Sequence, residues 1–438
     1  MAQWEEIAME NRTIGVAILG LGTVGLGTWK VLNAQKDEMV HKLGATAEVK
    51  KILVRNVAKA AERTGHPELI TNDWQEILND PSIEIVIELM GGIEPARTYI
   101  GEALTAGKHV VTANKDLIAS DHGHLMEVAK QHGCDLMFEA AVAGAIPVIT
   151  PLKQSLAANH LTEVMGIVNG TTNFILTKMA QEGMEFSEAL ALATELGYAE
   201  ADPTADVEGL DAARKVAILA SIAFNSRVSF EDVSTEGITG ITANDIRYAK
   251  EMGCCIKLIG MAHSEGEGIE AYVAPMLIPL GHPLSTVNDS YNAVFVRGDA
   301  VDNAMFLGRG AGELPTASAV AGDVFEVMRN LVHGCSGRVS CTCYKELPIV
   351  PMEEVRSRYF LRVLVEDKIG VLAMIANEFA GHRVSVQQMI QKERINGCAE
   401  IVVITDRVCE GDFRKAVHCI AEKPNTRKVE AVIRVYGE

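Results

Sequence analysis

Five carboxylates, Glu200, Asp202, Asp206, Glu208 and Asp211, fall within the twelve positions 200–211. Arg214 and Lys215 follow at once, and the stretch runs on into Val216, Leu219 and Ile222. An acidic loop is ordinarily solvated. This one feeds an apolar helix face, so some of its acids are carried inward, where an ionised group must be paired or used. Asp211 and Lys215 stand four apart and share one face of a helix. A semi-buried Lys beside an Asp stays protonated and can donate a hydrogen bond or a proton to a developing alkoxide. Glu200 and Asp206, upstream in the same loop, are placed to hold a substrate ammonium group. The set suits hydride transfer to an aldehyde or ketone of an amino acid. Taken alone, the Asp211–Lys215 spacing equally describes an exposed ion pair worth roughly a few tenths of a kcal/mol.

A second group of residues points to a nucleotide. TIGVAI (13–18) is a β-branched run, and it leads into GLGTVG, with Gly20, Gly22 and Gly25 in the order G-x-G-x-x-G around Thr23 and Val24. Helical spacing follows. In that context the first glycine permits a tight turn, the second lets the backbone approach a pyrophosphate, and the third lets helix and strand pack closely. The next strand, AEVKKILV (47–54), ends at Arg55 and Asn56 with no carboxylate for a ribose 2′-hydroxyl. An Arg there can neutralise a 2′-phosphate, so NADP(H) is favoured and NAD(H) tolerated. IEIVIEL (83–89) reads as a strand buried on both faces and ends at Gly91-Gly92, where backbone can lie against a flat ring. HVVTANK (109–115) reads as a strand delivering Asn114 and Lys115 at its carboxyl end, the side on which open α/β sheets bind ligands. DLMFEAAVAGAIPVI (135–149) reads as a strand that changes character midway. Its Glu139 asks for a partner: a cation, a Lys or backbone amides. Asn169-Gly170-Thr171-Thr172-Asn173, at a helix start, offers amides and hydroxyls to a carboxylate, or serves as a plain cap. In RGAGELP (309–315), Gly310 and Gly312 precede a helix lined with Ala that is expected to dock back on the nucleotide domain, with these glycines near the cofactor.

The elements that must position these groups fill a chain of 438 residues, enough for two or three cores. The expected architecture is α/β in three parts. A Rossmann-type doubly wound nucleotide domain spans 1–150 and is completed by about 315–345. An α+β substrate and dimerisation domain with a mixed sheet spans 151–314. A linker with two prolines (345–358), a plausible hinge, leads to a βαββαβ, ferredoxin-like domain at 359–438. A formal charge of −18 argues against nucleic acid or an anionic membrane as partner. The acidic start MAQWEEIAMENR is unlike an export signal, and no run is long enough to span a membrane. Nine cysteines without regular spacing fit reduced thiols in the cytoplasm. Cys254-Cys255 and Cys341-Thr-Cys343 lack a matching second half for a zinc site.

The stretch ATELGYAEADPTADVEGLDAARK (193–215) resembles the signature of homoserine dehydrogenases in its Ala, Gly, Asp-Pro, Asp, Gly, Asp and final Lys. The likeness extends over GLGTVG, TANK, EAAVAGAIP, NGTTN and RGAGELPTASAV, hence over residues 10–345. It implies NAD(P)-dependent interconversion of aspartate 4-semialdehyde and homoserine. Lys215 would be the proton donor and Lys115 a second catalytic lysine, while Glu200 and Asp211 bind or orient the substrate. It also implies a structural monovalent, sodium-like cation at Glu139 and the carbonyls of Val142, Gly144 and Ile146. Ala145 stands where the family often has a second Gly, with no evident consequence for the site. The C-terminal segment resembles an ACT domain in its D-x-x-G-V-L turn, Asp367–Leu372. That likeness implies edge-to-edge pairing, within a homodimer or homotetramer, and a small amino-acid ligand, for which threonine is the natural candidate. Two rivals remain open here. Aspartate-semialdehyde dehydrogenase would need a nucleophilic Cys, and only Cys134 lies at the nucleotide-domain boundary. A catalytically silent amino-acid sensor would not need Lys115, Lys215 and the acids together.

Overall fold

A computed structural model of the chain describes residues 12–395 and 397–437. The acidic N-terminal stretch considered above as an export signal, up to residue 11, lies outside the described residues.

The first β-branched run forms β1 (Arg12–Leu19), and the glycine turn leads into α1 (Thr23–Ala34). Then follow α2 (Lys36–Leu43), β2 (Ala45–Leu53), α3 (Val57–Thr64), β3 (Ile70–Thr71), α4 (Gln75–Leu78) and β4 (Ile83–Glu88). Next are α5 (Ala96–Thr105), β5 (His109–Thr112), α6 (Lys115–Gln131) and β6 (Leu136–Met137). The six strands make one parallel sheet in the order β3-β2-β1-β4-β5-β6. The order turns back on itself between β1 and β4, which is where a doubly wound sheet opens its ligand crevice. Ile14, Val16, Ile18, Ile85 and Ile87 are all fully buried in its core.

Two expected strands are shorter than the sequence suggested. HVVTANK leaves the sheet after Thr112 because the Asn114 side chain accepts from the Leu117 amide and starts α6. The segment 135–149 is a strand only over Leu136–Met137. Beyond it Glu139 gathers the amides of Val148, Ile149 and Thr150, which folds the chain back on itself.

The chain continues through β7 (Leu161–Ile167), α7 (Gly170–Glu182), α8 (Phe186–Glu195), α9 (Thr204–Val207) and α10 (Leu210–Phe224). After these come β8 (Ser234–Thr235), α11 (Ala243–Glu251), β9 (Cys254–His263), β10 (Glu270–Pro279), β11 (Tyr291–Gly298) and β12 (Asp302–Arg309). The long α12 (Glu313–His333) precedes the C-terminal elements β13 (Arg356–Glu366), α13 (Val371–Gly381), β14 (Val386–Ile395) and β15 (Cys398–Thr405). The last are β16 (Val408–Cys409), α14 (Glu410–Ala421) and β17 (Thr426–Val435).

Two units result. One holds the residues up to His160, Ser221–Phe230 and Phe306–Glu346; the other holds Leu161–Ala220, Glu231–Met305 and the residues from Leu347. The first is discontinuous because α12 packs on α1. There Gly27 is required, since a Cβ would meet the Glu313 carbonyl oxygen at 2.6 Å. In the second unit eleven strands form one sheet whose main path is β12-β11-β7-β9-β10-β17-β13-β15-β14. Its last four strands, with α13 and α14, are the βαββαβ, ferredoxin-like module. The module joins the mixed sheet where β10 and β17 pair in parallel at Met276–Arg434 and Leu277–Val435. The proline-containing stretch before it is pinned as well, because Ile269 exchanges backbone hydrogen bonds with Pro348 and Val350.

Candidate active site

In the first unit the glycines behave as their chemistry requires. Gly20 has φ +94°, and a Cβ there would meet the Leu89 carbonyl oxygen at 2.8 Å. Gly25 faces the Gly20 carbonyl, which a Cβ would approach to 2.1 Å. Gly22, at the N-cap of α1, has nothing within 4 Å of its missing Cβ, so a phosphate can come up to the backbone beside Thr23 and Val24. A cleft of about 800 Å³ opens here, and Gly20, Gly22, Arg55 and Gly91 lie in its wall. Thr23, Val24, Gly25, Lys115 and Gly312 belong to the same unit but not to that wall.

Sequence reasoning missed two cations of the cleft. Arg55, Lys59 and Arg63 all line it, spaced by four along the end of β2 and α3. Arg63 also donates through Nη1 to the Leu21 carbonyl at 2.7 Å, holding the glycine turn. The spacing of four was visible in the sequence. Asn56, beside Arg55, is committed to capping α3 through its bond from the Lys59 amide.

It missed Glu88 too. This fully buried carboxylate accepts from the amides of Met90 and Gly91 at 2.8 and 3.2 Å and from the Thr112 hydroxyl at 2.7 Å. Asn114 donates to the Gly92 carbonyl at 2.6 Å. The Gly91-Gly92 loop is thereby tied to the start of α6, whose first residue is Lys115. A second acid closing the strand after the apolar run Ile85–Ile87 was the available signal.

In the second unit β7 ends beside the start of α10, and the acidic stretch gathers there. Lys215 Nζ donates to Asp211 Oδ2 and to the Val168 carbonyl, both at 2.7 Å, and Lys215 and Asp211 are both buried. The exposed-pair reading therefore fails. Asn169, named before only as part of a turn, links the acids: its Nδ2 donates to Asp206 at 2.6 Å and to Asp211 at 2.9 Å. Its Oδ1 accepts from the Thr172 amide at 2.9 Å. Burial raises the pKa of Asp206 above the usual carboxylate range, and the neighbouring Asp211 charge adds to this. Such a carboxylate favours a cation beside it. Thr171 and Thr172 are buried, with hydroxyls already donating to the Tyr198 and Asn169 carbonyls. At the N-terminus of α7, then, Gly170 and Thr171 keep amides free of any acceptor among the described residues, while that of Thr172 is taken. Glu200 is exposed in the loop after α8.

The partner that Glu139 asked for is backbone. Its carboxylate takes amides from Val148, Ile149 and Thr150 at 2.5, 2.6 and 2.8 Å. Its own amide donates to the buried Asp323 at 2.8 Å. Val142, Gly144 and Ile146 are buried nearby, and no hydrogen bond among the described residues reaches their carbonyl oxygens. Unclaimed carbonyls of this kind suit a hard monovalent cation. Cys134 is buried, and that burial, with the adjacent Asp135 charge, pushes its thiol up to about 11. Such a shift disfavours the thiolate that a nucleophilic cysteine requires.

The comparisons with known proteins agree in kind. The model described as homoserine dehydrogenase matches residues 147–325, and that described as homoserine dehydrogenase, NAD binding domain, matches residues 20–139. The ACT domain model matches residues 359–422. The homoserine dehydrogenase of Corynebacterium glutamicum is 46% identical over 427 residues, which are 96% of this chain and 95% of that one. The crystal structure of a homoserine dehydrogenase from Thiobacillus denitrificans is similar with a TM-score of 0.92 and 41% identity, covering 97% of this chain and 98% of that one. A hyperthermophilic archaeal homoserine dehydrogenase mutant in complex with NADPH is similar with a TM-score of 0.62 and 26% identity, over 72% of this chain and 97% of that one.

Proposed function

This chain belongs to the homoserine dehydrogenase family, and on that footing we propose which of its residues carry the reaction. The enzyme is an NAD(P)-dependent oxidoreductase that interconverts L-aspartate 4-semialdehyde and L-homoserine. A bound reduced nicotinamide supplies the hydride. As negative charge grows on the aldehyde oxygen, Lys215 stabilises it and delivers a proton, directly or through water. Asp211 and the Val168 carbonyl hold the Lys215 side chain in place and aimed, and Asn169 holds Asp211. Asp206 and Glu200 receive the substrate ammonium, and the amides of Gly170 and Thr171 receive its carboxylate. Lys115 is the second catalytic lysine. The observation that carries this assignment is the buried Lys215 ammonium, fixed at 2.7 Å by two acceptors at the end of β7.

NADP(H) is the preferred cofactor. Support comes from the three cations in the cleft wall, the absence of an acid at the end of β2, and the NADPH bound by the archaeal relative. Gly20, Gly22, Thr23, Val24 and Gly25 cradle its pyrophosphate, with Gly91 and Gly312 assigned to the rest of the molecule. A sodium-like cation rests on Glu139 and the carbonyls of Val142, Gly144 and Ile146, while the Glu139 carboxylate also shapes the loop through its three amide bonds. Threonine binds the ACT module at the Asp367–Leu372 turn, where Gly370 has φ +92°. The protein self-associates, as a homodimer or homotetramer, through strands at its sheet edges. The nucleotide domain corresponds to the first unit, the substrate and dimerisation domain to the second unit up to Met305, and the ACT domain to residues 359–438. All nine cysteines are free, which fits the reducing cytoplasm. Among the described residues no helix is long and apolar enough to cross a membrane.

Homoserine oxidation, followed by reduced-nicotinamide absorbance with NADP or NAD and with or without threonine, tests these points together. Turnover with a higher kcat/KM for NADP, suppressed by threonine, is expected. Equal use of NAD would overturn the cofactor assignment, and indifference to threonine would overturn the effector.

A further inference from the structure

Three metal-ligating side chains converge in the first unit without any part in the reaction above. His122 stands on α6, seven residues beyond Lys115, while Cys341 and Cys343 lie in the segment after α12. One ligand atom from each lies within 4.8 Å of the others. The Cys343 Sγ is 3.7 Å from His122 Nε2, although the two residues are 221 positions apart. A tetrahedral zinc ion with Zn–S of about 2.3 Å and Zn–N of about 2.0–2.1 Å sets neighbouring S and N ligands about 3.6 Å apart. The pair is thus already at ligand spacing. All three side chains are half-buried, so water can complete the coordination.

The surroundings suit a bis-thiolate centre. The guanidinium of Arg227 acts on Cys343 with positive charge, and Lys153, whose pKa is lowered by burial, lies near both sulfurs. Arg227 lies against α6 beside His122, where a Cβ on Gly123 would meet its Cζ at 2.7 Å. Two thiolates bring a zinc ion to zero charge, so these cations do not oppose it. A second grouping, Glu378, His382 and Cys419, is a poorer ligand set. It has one sulfur, and its carboxylate is held by Lys423 at 2.5 Å. We propose that His122, Cys341 and Cys343 bind a zinc ion, with water as fourth ligand, and that this ion fastens the segment after α12 to the helix that begins at Lys115. The missing second half of the Cys341-Thr-Cys343 pair is a histidine on a distant element.

The test is cobalt(II) titration of the full-length protein, freed of metal and kept reduced with a phosphine. The wild type is expected to develop a near-ultraviolet thiolate-to-cobalt band and intense tetrahedral visible bands, both removed by zinc. C341S and C343S should each lose about half of the near-ultraviolet band, and the double variant all of it. H122Q should shift the visible bands and weaken zinc binding at least tenfold, while C419S leaves the spectrum unchanged. Circular dichroism and retained homoserine oxidation establish that the variants are folded. No thiolate band in the wild type, or a band that survives in the double cysteine variant, overturns the proposal.

Discussion

In the proposed reaction Lys215 concentrates the chemistry into one atom. Its ammonium is buried, and a lysine in that position is tolerable only because Asp211 and the Val168 carbonyl each hold it at 2.7 Å. Removing it leaves two acids and no proton source. Lys215→Ala is therefore expected to lower kcat about 10²- to 10⁴-fold, the usual contribution of a positioned acid or base. NADPH affinity, measured by fluorescence quenching, should stay within about twofold if the role lies in the transition state alone. A near-normal kcat would strip Lys215 of the donor role. Asn169 tests the same network from its other end. Its amide must face both carboxylates with nitrogen, since its oxygen already accepts from the Thr172 amide. Asn169→Asp would place a third carboxylate against Asp206 and Asp211. We expect kcat to fall at least tenfold and the pH profile to move upward, because a carboxylate cluster holds protons more tightly. An unchanged profile would mean that Asn169 is only a cap of α7.

At the scale of elements, α3 separates two roles that one cleft wall combines. Arg55 and Lys59 line the cleft without supporting the glycine turn, whereas Arg63 donates to the Leu21 carbonyl. Arg55→Ala and Lys59→Ala should each raise KM for NADPH about tenfold or more while moving KM for NADH less than about threefold, since only the former cofactor brings a phosphate. Arg63→Ala should weaken both cofactors, because it loosens the turn that each must use. Equal losses for both cofactors in all three variants would refute a 2′-phosphate role. The same elements show what was legible beforehand. The glycine turn could be read because sterics leave almost no other residue at Gly20 and Gly25, and the Asp211–Lys215 pair because helical spacing fixes the face. Asn169 and His122 escaped because their partners sit on other elements, and so does Thr112, the hydroxyl partner of Glu88. Nothing local in IEIVIEL says that Glu88 will hold the Met90 and Gly91 amides. Similarly, HVVTANK carries strand propensity to its end, and only the Asn114 cap turns Lys115 into the first residue of a helix.

Across the whole molecule, charge and burial make stability respond to pH in a definite direction. The formal charge of −18 means that raising the pH generally adds self-repulsion. Lys257, on β9 and nearly fully buried, works against that trend. Its Nζ donates to the Val287 carbonyl at 2.5 Å and to the Asn173 and Asn288 side-chain oxygens at 3.1 and 3.2 Å. Burial without a carboxylate ligand lowers its pKa to about 8, from 10.5. Below about pH 8 both folded and unfolded chains carry the proton, and the folded state bears the full penalty of a buried ammonium. Between about 8 and 10.5 the unfolded chain binds more protons than the folded one, so stability rises with pH. Above that window the two states are again equally protonated and the gain is complete. At about 1.4 kcal/mol per pH unit, the whole window is worth on the order of 3 kcal/mol. Lys257→Met removes the titration while keeping the side chain's length. The difference in urea midpoint between wild type and this variant should be flat from pH 6 to 7.5, then move in favour of the wild type from pH 8 to 10. A pH-independent difference would show that Lys257 holds its charge throughout this range, with the Val287, Asn173 and Asn288 oxygens replacing its hydration shell. The buried cation would then be a fixed strut of the mixed sheet that carries the catalytic lysine's neighbour β7 and, through β10 and β17, the ACT module.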